Sequence, residues 1–103
     1  MVIIFDNDEL ELLFQGQKPK GKPKYSNDII NGFIKKVKIM QSVSNAEELR
    51  QFVSLHFERL LGDKSHLYSI RVNDQYRIEF RLENEEIKLC ELAITEDLSK
   101  HYR

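Results

Sequence analysis

The chain has 103 residues, which is enough for one small domain spanning residues 1–103 and too short for a second core. Apolar residues make up 41% and charged residues 32%, a balance that excludes a disordered chain, and no apolar run nears the roughly 20 residues that cross a bilayer. The net charge of −1 argues, as an average, against a polyanionic partner.

Val2 to Phe5 is β-branched and aromatic and reads as a first strand. It is too short for a signal sequence, and Asp6, Asp8, Glu9 and Glu11 follow it. The single cysteine, Cys90, cannot staple the chain or build a metal cluster alone. Both features point to the cytoplasm. Asp6 reads as a helix N-cap, with Glu9 completing a capping box. Leu10, Leu13 and Phe14 supply the apolar stripe, and Gly16 is a natural stop.

Residues 15–25 contain two prolines, two glycines and spaced lysines, which forbid regular structure. Residues 27–42 read as the strongest helix. Ile29, Ile30, Phe33, Ile34, Val37 and Met40 share one face, and Ser26 or Asn27 can cap it. Gly32 within it costs about 1 kcal/mol relative to alanine, so packing must hold this helix. A shorter turn, Asn45 to Phe52, follows, with Leu49 and either Phe52 or Val53 facing inward.

The period then changes from 3.6 to 2. Strands are expected at Leu55–Leu61, Leu67–Val72, Tyr76–Leu82 and Ile87–Ile94. Between Leu89 and Cys90 the alternation changes phase, which fits either a bulge or a strand buried on both faces. The expected fold is α+β, with N-terminal helices packed on one face of a small, mostly antiparallel twisted sheet.

The near-zero net charge hides a segregation. Residues 15–40 hold seven lysines against the single acid Asp28, a local +6, while residues 1–14 hold four acids and no base. Lys18, Lys20, Lys22 and Lys24 lie in the irregular segment, and Lys35, Lys36 and Lys38 lie on or near the polar side of the helix.

The hairpin around Asn73 fixes its own register. A two-residue loop would set Ile70 against Arg77 and bury a charge. A three-residue loop pairs Val72 with Tyr76, Ile70 with Ile78 and Tyr68 with Phe80. That register places Arg71 opposite Arg77 on the polar face, with Arg81 further along. Like charges so placed destabilise a sheet by up to about 1 kcal/mol unless something neutralises them. Glu79 and Glu58 can do so as a salt-bridge ladder, or an anion can, since arginine forks match phosphate oxygens.

The stretches Leu55-His56-Phe57-Glu58-Arg59-Leu60-Leu61-Gly62-Asp63-Lys64 and Ser69-Ile70-Arg71-Val72-Asn73-Asp74-Gln75-Tyr76-Arg77-Ile78-Glu79-Phe80 closely resemble the HigB-like toxins of the RelE superfamily. The ending Leu98-Ser99-Lys100-His101-Tyr102 is similar to that family's as well. The resemblance implies a RelE-like fold and a ribosome-dependent mRNA endonuclease that uses no metal and no cofactor. It implies neutralisation by a helix-turn-helix, HigA-like antitoxin. The RNA's own 2′-hydroxyl would attack the adjacent phosphorus. Such chemistry needs a base, positive charge on the phosphorane oxygens, and an acid for the leaving oxygen.

By that resemblance Arg77 matches the catalytic arginine, with Arg71 beside it. His101 and Tyr102 match the terminal pair, His101 as acid or base and Tyr102 as a stacking or proton-donating group. The chain departs from the pattern twice. Glu58 stands where many members carry histidine, and either takes the base role or pairs with Arg71 or Arg77. Leu61 stands where many carry lysine and offers no phosphate contact. His56 reads as a partly exposed sheet residue. The seven lysines and Arg81 become candidate contacts to ribosomal RNA and mRNA; the lysine segment can alternatively be covered by an acidic antitoxin surface, or act simply as a solvated linker and helix face.

Overall fold

In the computed structural model, which describes residues 1–19 and 21–95, the first strand β1 (Val2–Phe5) leads directly into α1 (Asp8–Phe14). The N-cap is Asn7 rather than the expected Asp6; its side chain accepts a hydrogen bond from the Leu10 amide at 3.2 Å. The Asp6 amide still donates to the Leu89 carbonyl at 2.9 Å, so the chain leaves its strand pairing one residue later than the capping-box pattern implies.

Helix α2 (Asn27–Ser42) has the predicted bounds, and Ser26 caps it by accepting from the Ile29 amide. Ile29, Phe33, Val37 and Met40 are buried against the sheet. Gly32 has a packing reason: a Cβ built there would meet Val72 Cγ1 at 3.0 Å. The helix passes close to the end of the strand Tyr68–Arg71 at this point, and a larger residue would have to displace the Val72 side chain by a few tenths of an ångström.

Two 3₁₀ segments, Ala46–Gln51 and Val53–Leu55, come next. Leu49 is buried as expected, but Phe52 and Val53 are exposed, and Leu55 fills the core position instead. The expected strand Leu55–Leu61 shrinks to β2 (Glu58–Arg59). His56 has a φ of 48°, a left-handed conformation that ends any ladder, so it is an exposed turn residue and not a sheet residue. Leu55 and Phe57 still point inward, which is why the alternation mimics a longer strand.

A third 3₁₀ turn, Gly62–Lys64, leads to β3 (Tyr68–Arg71), β4 (Tyr76–Glu83) and β5 (Glu86–Ile94). The sheet order is β1-β5-β4-β3-β2, with β1 parallel to β5 and the other pairs antiparallel. The three-residue loop is as predicted, with Ile70 opposite Ile78 and Arg71 opposite Arg77. Asn73 Oδ1 accepts from the Gln75 and Tyr76 amides, both at 2.8 Å, and so shapes the turn. Between β4 and β5, Asn84 and Glu85 both have positive φ, 52° and 63°, as a two-residue type I′ hairpin requires.

The phase change in β5 is a bulge. Glu79 faces Glu91 while Phe80 faces Leu89, so Cys90 is the unpaired extra residue. Ile87, Leu89 and Leu92 thereby all reach the core, where they meet Ile70, Ile78 and Phe80 beneath the helices. The opposite face of the sheet carries the polar side chains.

Candidate functional site

Period-2 alternation sorts the hairpin residues cleanly. Tyr68, Ile70, Ile78 and Phe80 point to the helices, so Ser69, Arg71, Arg77 and Glu79 share the other face. Two rows cross the sheet there. Glu58, Ser69, Glu79 and Glu91 are partners in one row, on β2, β3, β4 and β5. Arg71, Arg77 and Ala93 form the next.

Glu79 is the centre of the charge arrangement. Its side chain is 1% exposed and that of Arg77 only 7%. Arg77 donates to Glu79 Oε2 from Nε at 2.9 Å and from Nη2 at 2.8 Å. Lys64 Nζ lies 3.2 Å from both Glu79 oxygens. Burying a lone carboxylate is prohibitive, and two cations meet that cost here. One arm of the expected ladder, Glu79 with Arg77, is present. Among the described residues Arg71 has only a loose partner, with Nη1 at 3.9 Å from the solvent-exposed Asp74 carboxylate. A contact of that length and exposure holds a guanidinium weakly. Glu58 is exposed at the rim, across from Ser69.

Arg81 belongs to a second cluster, beyond the bulge and toward β1. Its Nη1 contacts Asp6 and its Nε contacts Glu83, at 2.9 and 2.8 Å, and Lys88 reaches Glu83 at 2.8 Å. Hydrogen bonds from Lys88 and Arg81 hold the Glu83 carboxyl below its ordinary range. Glu83 and Asp6 hold the Arg81 guanidinium more firmly protonated than usual, and Glu83 raises the Lys88 ammonium. Burial pushes the neighbouring Cys90 thiol up.

On the helical side, Lys18, Lys22 and Lys24 rim a cleft of about 320 Å³ whose apolar lining includes Leu13, Ile30 and Ile34. Lys24 also pairs with Glu9 at 3.3 Å. Lys35 and Lys38 are exposed on α2 and Lys36 is half-buried. The predicted residues therefore divide into the arginine hairpin with Glu58, the isolated Arg81 cluster, and the lysines of the helical side. Lys20, His101 and Tyr102 lie outside the described residues. Among the described residues no cluster of three or more His, Cys, Asp or Glu side chains could hold a metal ion.

Lys64 is the site residue that the strand pattern misses. It lies in a turn rather than on an alternating strand, and its only sequence signal is its place just after Gly62-Asp63. Leu61, where the resemblance looks for a cation, is 87% exposed.

Residues 4–92 match the family model described as the RelE-like toxin of the type II toxin–antitoxin system HigB. A YoeB/ParE toxin from Agrobacterium tumefaciens is similar in structure, with a TM-score of 0.58 at 12% identity over 91% of this chain and 98% of that one. A chain of the YoeB-YefM complex from Staphylococcus aureus gives 0.58 at 17% identity, over 90% of this chain and 94% of that one. A YafQ mutant from E. coli gives 0.50 at 10% identity, over 93% and 94% of the two chains. These identities speak for the fold alone. A search of curated proteins finds no significant match.

Proposed function

Because the chain belongs to the HigB family of RelE-like toxins of type II toxin–antitoxin systems, we propose that it is a ribosome-dependent mRNA endonuclease that needs no metal or cofactor. The observation that carries this reading is the pair Arg71 and Arg77, directly opposed on the sheet face away from the helices. Glu79 neutralises Arg77, whereas Arg71 has, among the described residues, only a distant, solvated partner. A sheet that sets two like charges against each other and balances one of them suits an incoming anion.

The chemistry is transfer of the phosphodiester to the RNA's own 2′-hydroxyl. The 2′-oxygen bonds to phosphorus, the 5′-oxygen departs and takes up a proton, and a 2′,3′-cyclic phosphate remains. Arg71 and Arg77 would stabilise the extra negative charge on the phosphorane oxygens, a contribution worth about 10²–10³-fold per donor. Glu58, exposed at the rim of the arginine face, is the base candidate among the described residues. His101 and Tyr102 retain the roles that the resemblance implies: acid or base, and stacking or proton donation. The basic segment with Lys18, Lys20, Lys22, Lys24, Lys35, Lys36 and Lys38, together with Arg81, would hold ribosomal RNA and mRNA. A HigA-like helix-turn-helix antitoxin would be the neutralising partner in the cytoplasm. In line with that, one structural neighbour is a YoeB-YefM complex.

Expression without antitoxin is expected to arrest growth and cut translated mRNA, and Arg71→Ala to relieve both. A harmless wild-type chain that leaves translated mRNA intact would refute the enzyme reading. The second reading, a family member that binds antitoxin or RNA without cleaving, draws on exposed Leu61 in place of a cation and on Arg77 being tied to Glu79.

A further inference from the structure

Lys64 occupies a position built to hold it. Gly62, with a φ of 66°, starts the 3₁₀ turn in a conformation that favours glycine. The Ser65 amide then donates to the Gly62 carbonyl at 3.0 Å, and the Leu67 amide to the Lys64 carbonyl at 2.8 Å. Arg59 Nε closes the turn from β2 by donating to the Ser65 carbonyl at 2.6 Å. From this fixed base the Lys64 side chain reaches across β3 to Glu79 on β4.

The two cations on Glu79 are not equivalent. The Arg77 side chain is 7% exposed and that of Lys64 is 47% exposed. Among the described residues, one buried carboxylate carrying two cations leaves a surplus of one positive charge, carried by the more exposed ammonium. An ammonium has three donors, and the carboxylate does not occupy them all.

We propose that Lys64, held by Glu79, is the solvent-facing phosphate contact of the arginine face and binds the RNA phosphodiester there. This rests on the endonuclease reading for its substrate class, so the test separates the two. The probe is a short RNA oligonucleotide whose 2′-hydroxyl groups are methylated, which can bind but cannot be cut. Its affinity for the purified chain is measured against salt concentration. Lys64→Met is expected to make the slope of log K against log salt shallower by about 0.7, the value of one lost phosphate contact. Lys64→Arg should retain the wild-type slope. So should Arg50→Met, which removes an equal charge from the exposed pair with Glu47. Thermal melting should show all three variants folded. An unchanged slope in Lys64→Met, an equal change in Arg50→Met, or no binding by the wild-type chain would overturn the proposal. Cleavage of translated mRNA by the wild-type chain is scored separately and bears on the endonuclease reading alone.

Discussion

The Arg77–Glu79 pair makes a quantitative prediction that also governs how activity data on Arg77 must be read. Both side chains are almost wholly buried, at 7% and 1% exposure, so solvent screening offers little relief when one is removed. Deleting one member of a buried ion pair costs about 3–5 kcal/mol, because the other charge stays buried without its partner. In Arg77→Met, Glu79 keeps Lys64 at 3.2 Å, which places the loss near the lower end, about 3 kcal/mol. In Glu79→Gln, Arg77 keeps an amide oxygen but loses its counter-charge, and a similar loss is expected. The double variant removes both charges, so its loss should fall short of the sum by about 2 kcal/mol, within the range for residues in contact. Urea unfolding followed by circular dichroism measures all four corners of the cycle. With a slope near 1.5 kcal/mol per molar urea, each single variant should lower the midpoint by about 2 M. Single losses below about 1 kcal/mol, or simple additivity, would show that the pair does not hold the sheet face together. If the cycle behaves as expected, inactivity of an Arg77 variant has to be judged on protein shown to be folded, and Arg71 becomes the cleaner probe of phosphate binding.

Three further outcomes follow from particular contacts. Glu85 sits at a φ of 63° in the β4–β5 turn, so Glu85→Gly should raise stability by about 0.5–1 kcal/mol in urea unfolding, while Glu85→Val should lower it. The Glu83 carboxyl is held below its ordinary 4.5 by Lys88 and then Arg81. Its contribution is therefore complete above about pH 4.5 and is lost as pH falls through the lower folded value, since the unfolded chain takes up the proton first. Glu83→Gln should accordingly melt below the wild type at pH 7, with the gap closing toward pH 3; an equal gap at both pH values would contradict this. Burial raises the Cys90 thiol above its ordinary 9.0, so at pH 8 iodoacetamide should alkylate Cys90 more slowly than it alkylates a free cysteine, and urea should abolish the difference.

Where one local signal dominated, the sequence was legible. The 3.6-residue period of Ile29, Phe33, Val37 and Met40 located α2, and the matching of Ile70 with Ile78 and Tyr68 with Phe80 fixed the hairpin register and put Arg71 opposite Arg77, although Arg77 is buried on its own face by its pairing with Glu79 rather than kept exposed. The bulge showed as a phase change at Cys90, though its geometry needed the partner strand. Signals failed where tertiary context chose. Leu55 and Phe57 alternate like a strand, yet left-handed His56 between them breaks the backbone pairing. Asp6 looks like a cap, but its amide is held by Leu89, and the parallel pairing of β1 with β5 that places it there depends on residues more than eighty positions away. The site shows the same division. Its arginines are strand residues and follow from alternation, whereas Lys64 enters from a turn across a neighbouring strand, and no periodicity in one sequence encodes that reach.

The central claim is the endonuclease reading, and the ends of the RNA test it most directly. Ribosomes translating a defined mRNA are mixed with the purified chain, and the new termini are characterised. Attack by the 2′-hydroxyl predicts cuts only in translated mRNA, with a 2′,3′-cyclic phosphate on one fragment and a 5′-hydroxyl on the other, and their loss in folded Arg71→Ala. Intact mRNA, or fragments bearing a 5′-phosphate, would contradict the account.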